Sequence, residues 1–148
     1  MGLEVKNDGD GFTLIELLIV IAIVGILGAA ALPYMQGHAI RAKLTEVENA
    51  MANVKSAVSA FRQERGTWPD CPTISEVRNS LGIGLESVRR VAELSVTNGI
   101  ITATIQSINA MVDGKTLILT PSVNPADGSI KWSWGWSSDF PLHLRPVN

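Results

Sequence analysis

A chain of 148 residues with 46% hydrophobic residues and a net charge of −2 has room for one globular domain beside an apolar segment, and it lacks the basic footprint of a nucleic-acid binder. Its single cysteine, Cys71, excludes an internal disulfide and points to a buried thiol or a link to another chain. Neither His38 nor His143 has a Cys, His or paired acid at ligand spacing, so no metal and no other cofactor is expected.

The first eleven residues hold Glu4, Asp8 and Asp10 against Lys6 alone. After Gly11 the chain turns apolar and stays so to Tyr34, and Glu16 is the one charge in that run. About 20 apolar residues span a bilayer. An ionised acid inside one costs at least about 2.5 to 3.5 kcal/mol, so such a residue is expected to have a partner and a role. An ordinary secretory signal has a basic start, an apolar core of about 7 to 15 residues and a small-residue cut site after it. Here the run is longer, and the small residues Gly28 to Ala31 lead straight into a further helical pattern. A plain membrane anchor accounts for the length but gives Glu16 no function.

The string Gly11-Phe12-Thr13-Leu14-Ile15-Glu16-Leu17-Leu18-Ile19-Val20 resembles the class III signal of type IV pilins and of the related pseudopilins of type II secretion. The resemblance implies that a membrane aspartyl peptidase, the prepilin peptidase, cuts between Gly11 and Phe12 and methylates the new amino terminus, so that the apolar run is retained. The Phe12 nitrogen would then be an α-amine with a reference pKa near 8, cationic at neutral pH. In the family's assembly model, Glu16 pairs with the amine of a neighbouring subunit in the fibre. Because a buried unpaired charge costs far more than a paired one, that pairing would favour one axial register.

Gly25, Gly28 and Pro33 interrupt the helical run, and Pro33 lacks the N–H that would bond four residues back, so local weakness is expected there. By resemblance, the segment before this proline can unwind in an assembled fibre. Farther on, Ile40, Leu44, Val47, Met51, Val54, Val58 and Phe61 recur at steps of three and four, the signature of an amphipathic helix with one buried stripe. Arg41, Lys43, Glu46, Glu48, Lys55, Arg62 and Glu64 lie off that stripe, and Gly66 with Trp68-Pro69 ends the helix. One continuous helix from Phe12 to about Arg65 would be roughly 80 Å long.

Thr73-Ile74-Ser75-Glu76 has capping-box spacing ahead of Val77 and Leu81 and predicts a short connecting helix. Four strands are predicted at Val91–Thr97, Ile100–Ile108, Thr116–Ser122 and Ser129–Ser137, separated by Asn98-Gly99, Asp113-Gly114 and Asp127-Gly128 as hairpin turns. In the last strand Ile130, Trp132, Trp134 and Trp136 share one face and should be core, while Lys131, Ser133, Gly135 and Ser137 share the other. Three tryptophans beside a lysine could also stack nucleic-acid bases, but no basic groove accompanies them, so nucleic acid is not an expected partner.

Ser95 to Thr104, Gly114 to Pro121 and Ile130-Lys131-Trp132 look like the head of a major type IVa pilin. Pilins of that kind close a C-terminal loop with a disulfide, and no cysteine lies near Trp134 or Asn148. The loop from Ser137 to Asn148 is therefore expected to be held by packing of Phe140, Leu142 and Leu144 with Pro141 and Pro146.

The fold expected is α+β: a long N-terminal helix, membrane-spanning in its first half and packed by its second half on a four-stranded antiparallel sheet. The divisions read as a leader at 1–11, a transmembrane and assembly segment at 12–34, an amphipathic continuation at 35–65, and a connecting loop with the head at 66–148. Outside the signal there is no nucleophile-base pair, paired carboxylate or phosphate loop, so the chain reads as a structural subunit rather than an enzyme. The resemblance implies a major type IV pilus subunit, held in the inner membrane as a precursor and polymerised with its own copies into an extracellular fibre for adhesion or twitching motility on a Gram-negative-type bacterium. It also implies inner-membrane assembly machinery with ATPases, and an outer-membrane secretin. The alternatives are a type II secretion pseudopilin or minor pilin, and a DNA-uptake pilin. Asp127 and Asp139 stand apart in the sequence, which speaks against the C-terminal calcium site of major pseudopilins.

Overall fold

The computed structural model describes residues 11–84 and 89–146, apart from the side chains at 32–34 and 36. The expected leader from Met1 to Asp10 lies outside the described residues. Helix α1 spans Leu14–Arg65 and α2 spans Ile74–Leu81. Strands β1 (Val91–Thr97), β2 (Ile100–Ile105), β3 (Thr116–Val123) and β4 (Ile130–Trp136) follow, and a 3₁₀ turn at Leu142–Leu144 closes the described chain. The α+β architecture anticipated from the sequence is the one found. By compactness the chain divides into two units, 1–38 and 39–148.

In the first unit, Leu14–Ala31 is long and apolar enough to cross a membrane, and none of it is buried within the subunit. An isolated helix with apolar side chains on every side needs lipid or other helices to cover it. The helix is unbroken through Gly25, Gly28 and Pro33, and a Cβ at Gly25 or Gly28 would meet open space.

In the second unit the sheet is a meander of order β1-β2-β3-β4, antiparallel throughout. Registers Leu94↔Ala103↔Leu117↔Trp136 and Val96↔Ile101↔Leu119↔Trp134 align one face against α1. Ile40, Leu44, Val47, Met51, Val54 and Val58 supply the helix side of that core, joined by Ala50, which the periodicity passed over. Phe61, expected on the same stripe, is only half-buried, and the Arg65 guanidinium lies over its ring at 4.9 Å.

Of the three predicted hairpin turns, only Asn98-Gly99 forms a tight two-residue turn. Both residues take positive φ, 49° and 80°, and Thr97 pairs directly with Ile100. Gly99 is confined on a second count: a Cβ there would sit 2.4 Å from the Trp68 ring. The β2–β3 connection is longer than predicted because β2 stops at Ile105 instead of Ile108. Ser107 takes a φ of 57°, and the Asp113 carboxylate accepts the N–H groups of Ile108 and Asn109 at 2.9 and 3.2 Å. The chain closes into a loop over the buried Ile108 and Val112. At Asn124–Ser129 a similar loop forms, with the Ser129 carbonyl accepting the Asn124 N–H.

The tryptophan face of β4 corrects a sequence expectation. Trp132, Trp134 and Trp136 are half-buried at the margin of the core, since β4 is an edge strand with a neighbour on one side only. Trp132 meets Trp68 edge-on at 6.4 Å between centroids, and Arg62 lies over Trp68 at 5.3 Å. At the opposite edge, Cys71 bridges to β1 with paired backbone bonds to Val96 of 2.7 and 2.8 Å. That cover satisfies part of the β1 edge. The Cys71 thiol is free and buried, and burial raises its pKa.

Candidate functional site

The first turn of α1 answers what Glu16 bonds to within one subunit. Helix α1 begins at Leu14, which makes Thr13 its N-cap and Glu16 the third helical residue. The Thr13 N–H and hydroxyl donate to Glu16 Oε2 at 3.0 and 2.8 Å, and the Glu16 N–H donates to Thr13 Oγ1 at 3.2 Å. This is a reciprocal capping box. The opening N–H groups of a helix have no partner within it, and in an apolar medium each unmet donor is costly. The lone acid of the apolar run therefore has a structural task before any assembly. The sequence carries the signal as Thr13-Leu14-Ile15-Glu16, the same spacing that predicts α2, so Glu16 is a capping residue as well as a charge. At α2 both halves of the box form, between Thr73 and Glu76.

Gly11 and Phe12 are exposed immediately before this cap, outside the helix. The peptide bond between them is thus accessible to solvent. A new amine at Phe12 would stand one residue ahead of the N-cap. Neither described ion pair involves Glu16.

The C-terminal segment is the second feature. Phe140, Leu144 and Pro146 are buried, but Leu142, expected to help hold this loop, is 77% exposed, because the 3₁₀ turn directs it away from the core. Polar clasps take its place. The Lys115 ammonium bonds both the carboxylate and the carbonyl of Asp139, the latter at 2.9 Å, and this holds the Asp139 carboxyl below the usual carboxylate range. The Arg145 guanidinium donates twice to the Phe140 carbonyl, at 3.3 and 3.1 Å, and lies 4.8 Å over the Trp136 ring. Arg41 of α1 donates to the His143 carbonyl at 2.9 Å. Among the described residues no group of three His, Cys, Asp or Glu side chains is arranged to hold a metal ion.

Known proteins match along these same two regions. Residues 40–147 match the pilin family, described as bacterial filament proteins, and residues 8–32 match the prokaryotic N-terminal methylation motif. The chain belongs to the pilin family and is a structural protein of the type IV pilin kind. It is 41% identical over 137 residues to fimbrial protein EcpC of Eikenella corrodens, covering 90% of this chain and 87% of that one. With the type IV major pilin protein PilE of Neisseria gonorrhoeae it shares 43% identity over 127 residues, covering 84% and 73%. Prepilin peptidase-dependent protein D of Escherichia coli K12 is 32% identical over 124 residues, covering 83% and 80%.

Proposed function

We propose that this chain is the major subunit of a type IV pilus, cut by a prepilin peptidase between Gly11 and Phe12, N-methylated at Phe12, and polymerised through α1 into a surface fibre for adhesion or motility. The observation that carries the reading is the coincidence of the methylation-motif match over 8–32 with an exposed Gly11–Phe12 junction and an apolar helix that nothing in the subunit covers.

The mechanism follows from what each part lacks. In the membrane the apolar side chains of 12–34 are covered by lipid and the first-turn donors by the Thr13–Glu16 box. On assembly, helices of other copies replace the lipid. The Phe12 amine of one subunit then meets the Glu16 carboxylate of another, and the match of opposite charges in an apolar setting selects the register. Gly25, Gly28 and Pro33 are the proposed place where the helix yields when fibres form or stretch, since glycine and proline are the poorest helix formers. Residues 1–11 would serve as the leader, 35–65 as the helix that the head wraps, and 66–148 as the fibre surface. Inner-membrane machinery with ATPases and an outer-membrane secretin are the partners this route requires.

Mass spectrometry of the N-terminus from a sheared extracellular fraction tests the reading. The expected result is a chain beginning at methylated Phe12 in an abundant fibre. An intact leader overturns the processing step. A processed chain confined to the membrane overturns the major-subunit role and favours a minor pilin or pseudopilin.

A further inference from the structure

We propose that Leu142 of one head docks into a groove on the head of a second copy, so that heads join one to the next within the fibre. The groove lies where the end of α1, at Ser59, Arg62 and Gln63, meets the β3–β4 hairpin at Val123 and Ile130, and it holds about 470 Å³. Val123 is exposed there and Ile130 is half-buried. Among the described residues of the 39–148 unit, Leu142 is the most exposed of the large apolar side chains, at 77%, ahead of Met111, Val123 and Ile100. It stands on a fixed mount, since the Lys115, Arg145 and Arg41 clasps hold the segment on either side of it. A contact group held in place beforehand loses little freedom on docking.

Leu142 cannot enter the groove of its own chain. Arg41 bonds the His143 carbonyl, so the turn stands beside residue 41 of α1, whereas the groove stands beside residue 62 of the same unbroken helix, about 30 Å away. Strand β4 separates them in the same way, running about 20 Å from Ile130 in the groove to Trp136 beneath Arg145. A knob and a groove at separate places on one subunit make a heterologous contact that every copy both gives and receives, and such a contact closes into a ring or runs on as a filament. The chain belongs to a family of filament proteins. Charge complementarity favours the same occupant. The Lys115–Asp139 clasp beside the turn shows its acid outward, with the Asp139 side chain 65% exposed and that of Lys115 17%, and Arg62 supplies a cation at the groove. In the other direction, Arg41 is exposed beside the turn, and Asp127 is exposed in the hairpin loop that lines the groove. One leucine makes a weak contact by itself, so it acts once α1 already holds the copies together at high local concentration.

The inference rests on the chain being a fibre subunit, and the test separates the two. The full chain carrying both Leu142→Cys and Val123→Cys is assembled, and its sheared fibres are oxidised with diamide and separated without reductant. A disulfide needs Cα atoms within about 7 Å, so the two new thiols cannot join within one chain, and the native Cys71 thiol is buried. The expected result is a ladder of covalent trimers and longer oligomers from the double variant, and monomer from either single variant. Fibres of the double variant that remain monomeric overturn the docking contact. A covalent dimer from Leu142→Cys alone also overturns it, because the turn would then meet its own counterpart across a two-fold axis. A second measurement covers poor assembly of the cysteine variants: Leu142→Asp and Val123→Asp should each lower the yield of sheared fibre several-fold while the thermal midpoint of the head in micelles stays unchanged. Wild-type yield from both aspartate variants overturns the contact. Absence of fibres from the unaltered chain overturns the subunit reading itself.

Discussion

The two halves of α1 are both rich in apolar residues and both helical, yet they are built for different surroundings. Up to Ala31 apolar residues occupy every side and none is buried within the subunit. From Ile40 onward they recur every third or fourth residue, and Leu44, Val47, Met51, Val54 and Val58 vanish into the core. An all-round apolar helix commits itself to lipid or to other helices, whereas a striped one commits itself to a sheet in its own chain. On the proposed function, assembly energy would reside in the first half, while the second half carries folding energy. A substitution in one should leave the other largely untouched.

The sharpest way to break that separation is at Glu16. Glu16→Ala should leave the subunit in the membrane with its head folded and cut the yield of sheared fibre more than about tenfold, since it removes both the cap and the charge. Glu16→Gln keeps groups able to cap but has no charge. If its fibre yield matches Glu16→Ala, pairing with an amine dominates; if it matches wild type, the cap does. A loss of head stability in either variant, seen as a lowered thermal midpoint in micelles, would defeat the comparison.

On the head side the largest single effect is expected at Gly99. Alanine there must take a φ near 80° and push on Trp68, which sits 2.4 Å from the new Cβ. Backbone strain and overpacking together should cost about 2 to 4 kcal/mol, a fall in thermal midpoint on the order of 10 °C. Gly114 has nearly the same φ, 79°, with nothing within 4 Å of an added Cβ. Gly114→Ala should therefore show the backbone part alone, about 1 to 2 kcal/mol. Equal losses at the two sites would mean that Trp68 yields freely.

The smallest effect expected is at the C-terminal clasp. Lys115 depresses the Asp139 carboxyl in the folded chain, so the pair adds stability above the unfolded carboxylate value near 3.9, and this is lost as pH falls through the folded value. Asp139→Asn should melt slightly below wild type at pH 7, with the gap narrowing as pH falls below about 3.9. A gap that does not narrow with falling pH would assign the effect to packing. Because the Asp139 carboxylate is solvent-exposed, the difference should also shrink in high salt.

Much of this was legible in the residues because it depends on local periodicity. The helix stripe, the Thr73–Glu76 cap, the Asn98-Gly99 hairpin and the strand order all follow from spacing and turn chemistry, which neighbouring residues fix among themselves. The Gly11 to Val20 motif was equally plain, and the family match falls on it. What the chain could not declare by spacing is who covers whom. That Trp132, Trp134 and Trp136 end half-buried depends on β4 lying at the sheet edge. That Leu142 faces outward depends on Lys115, Arg41 and Arg145 reaching the C-terminal segment from distant parts of the chain. Even the bonds that Glu16 makes were hidden by its charge. The sequence by itself determined the elements and the contrast between an all-round apolar helix and a striped one, because apolar patterning and backbone propensity act over a few residues. Only the tertiary structure decided which of those apolar and charged side chains are satisfied within the subunit, because that depends on contacts between residues as far apart as Arg41 and His143.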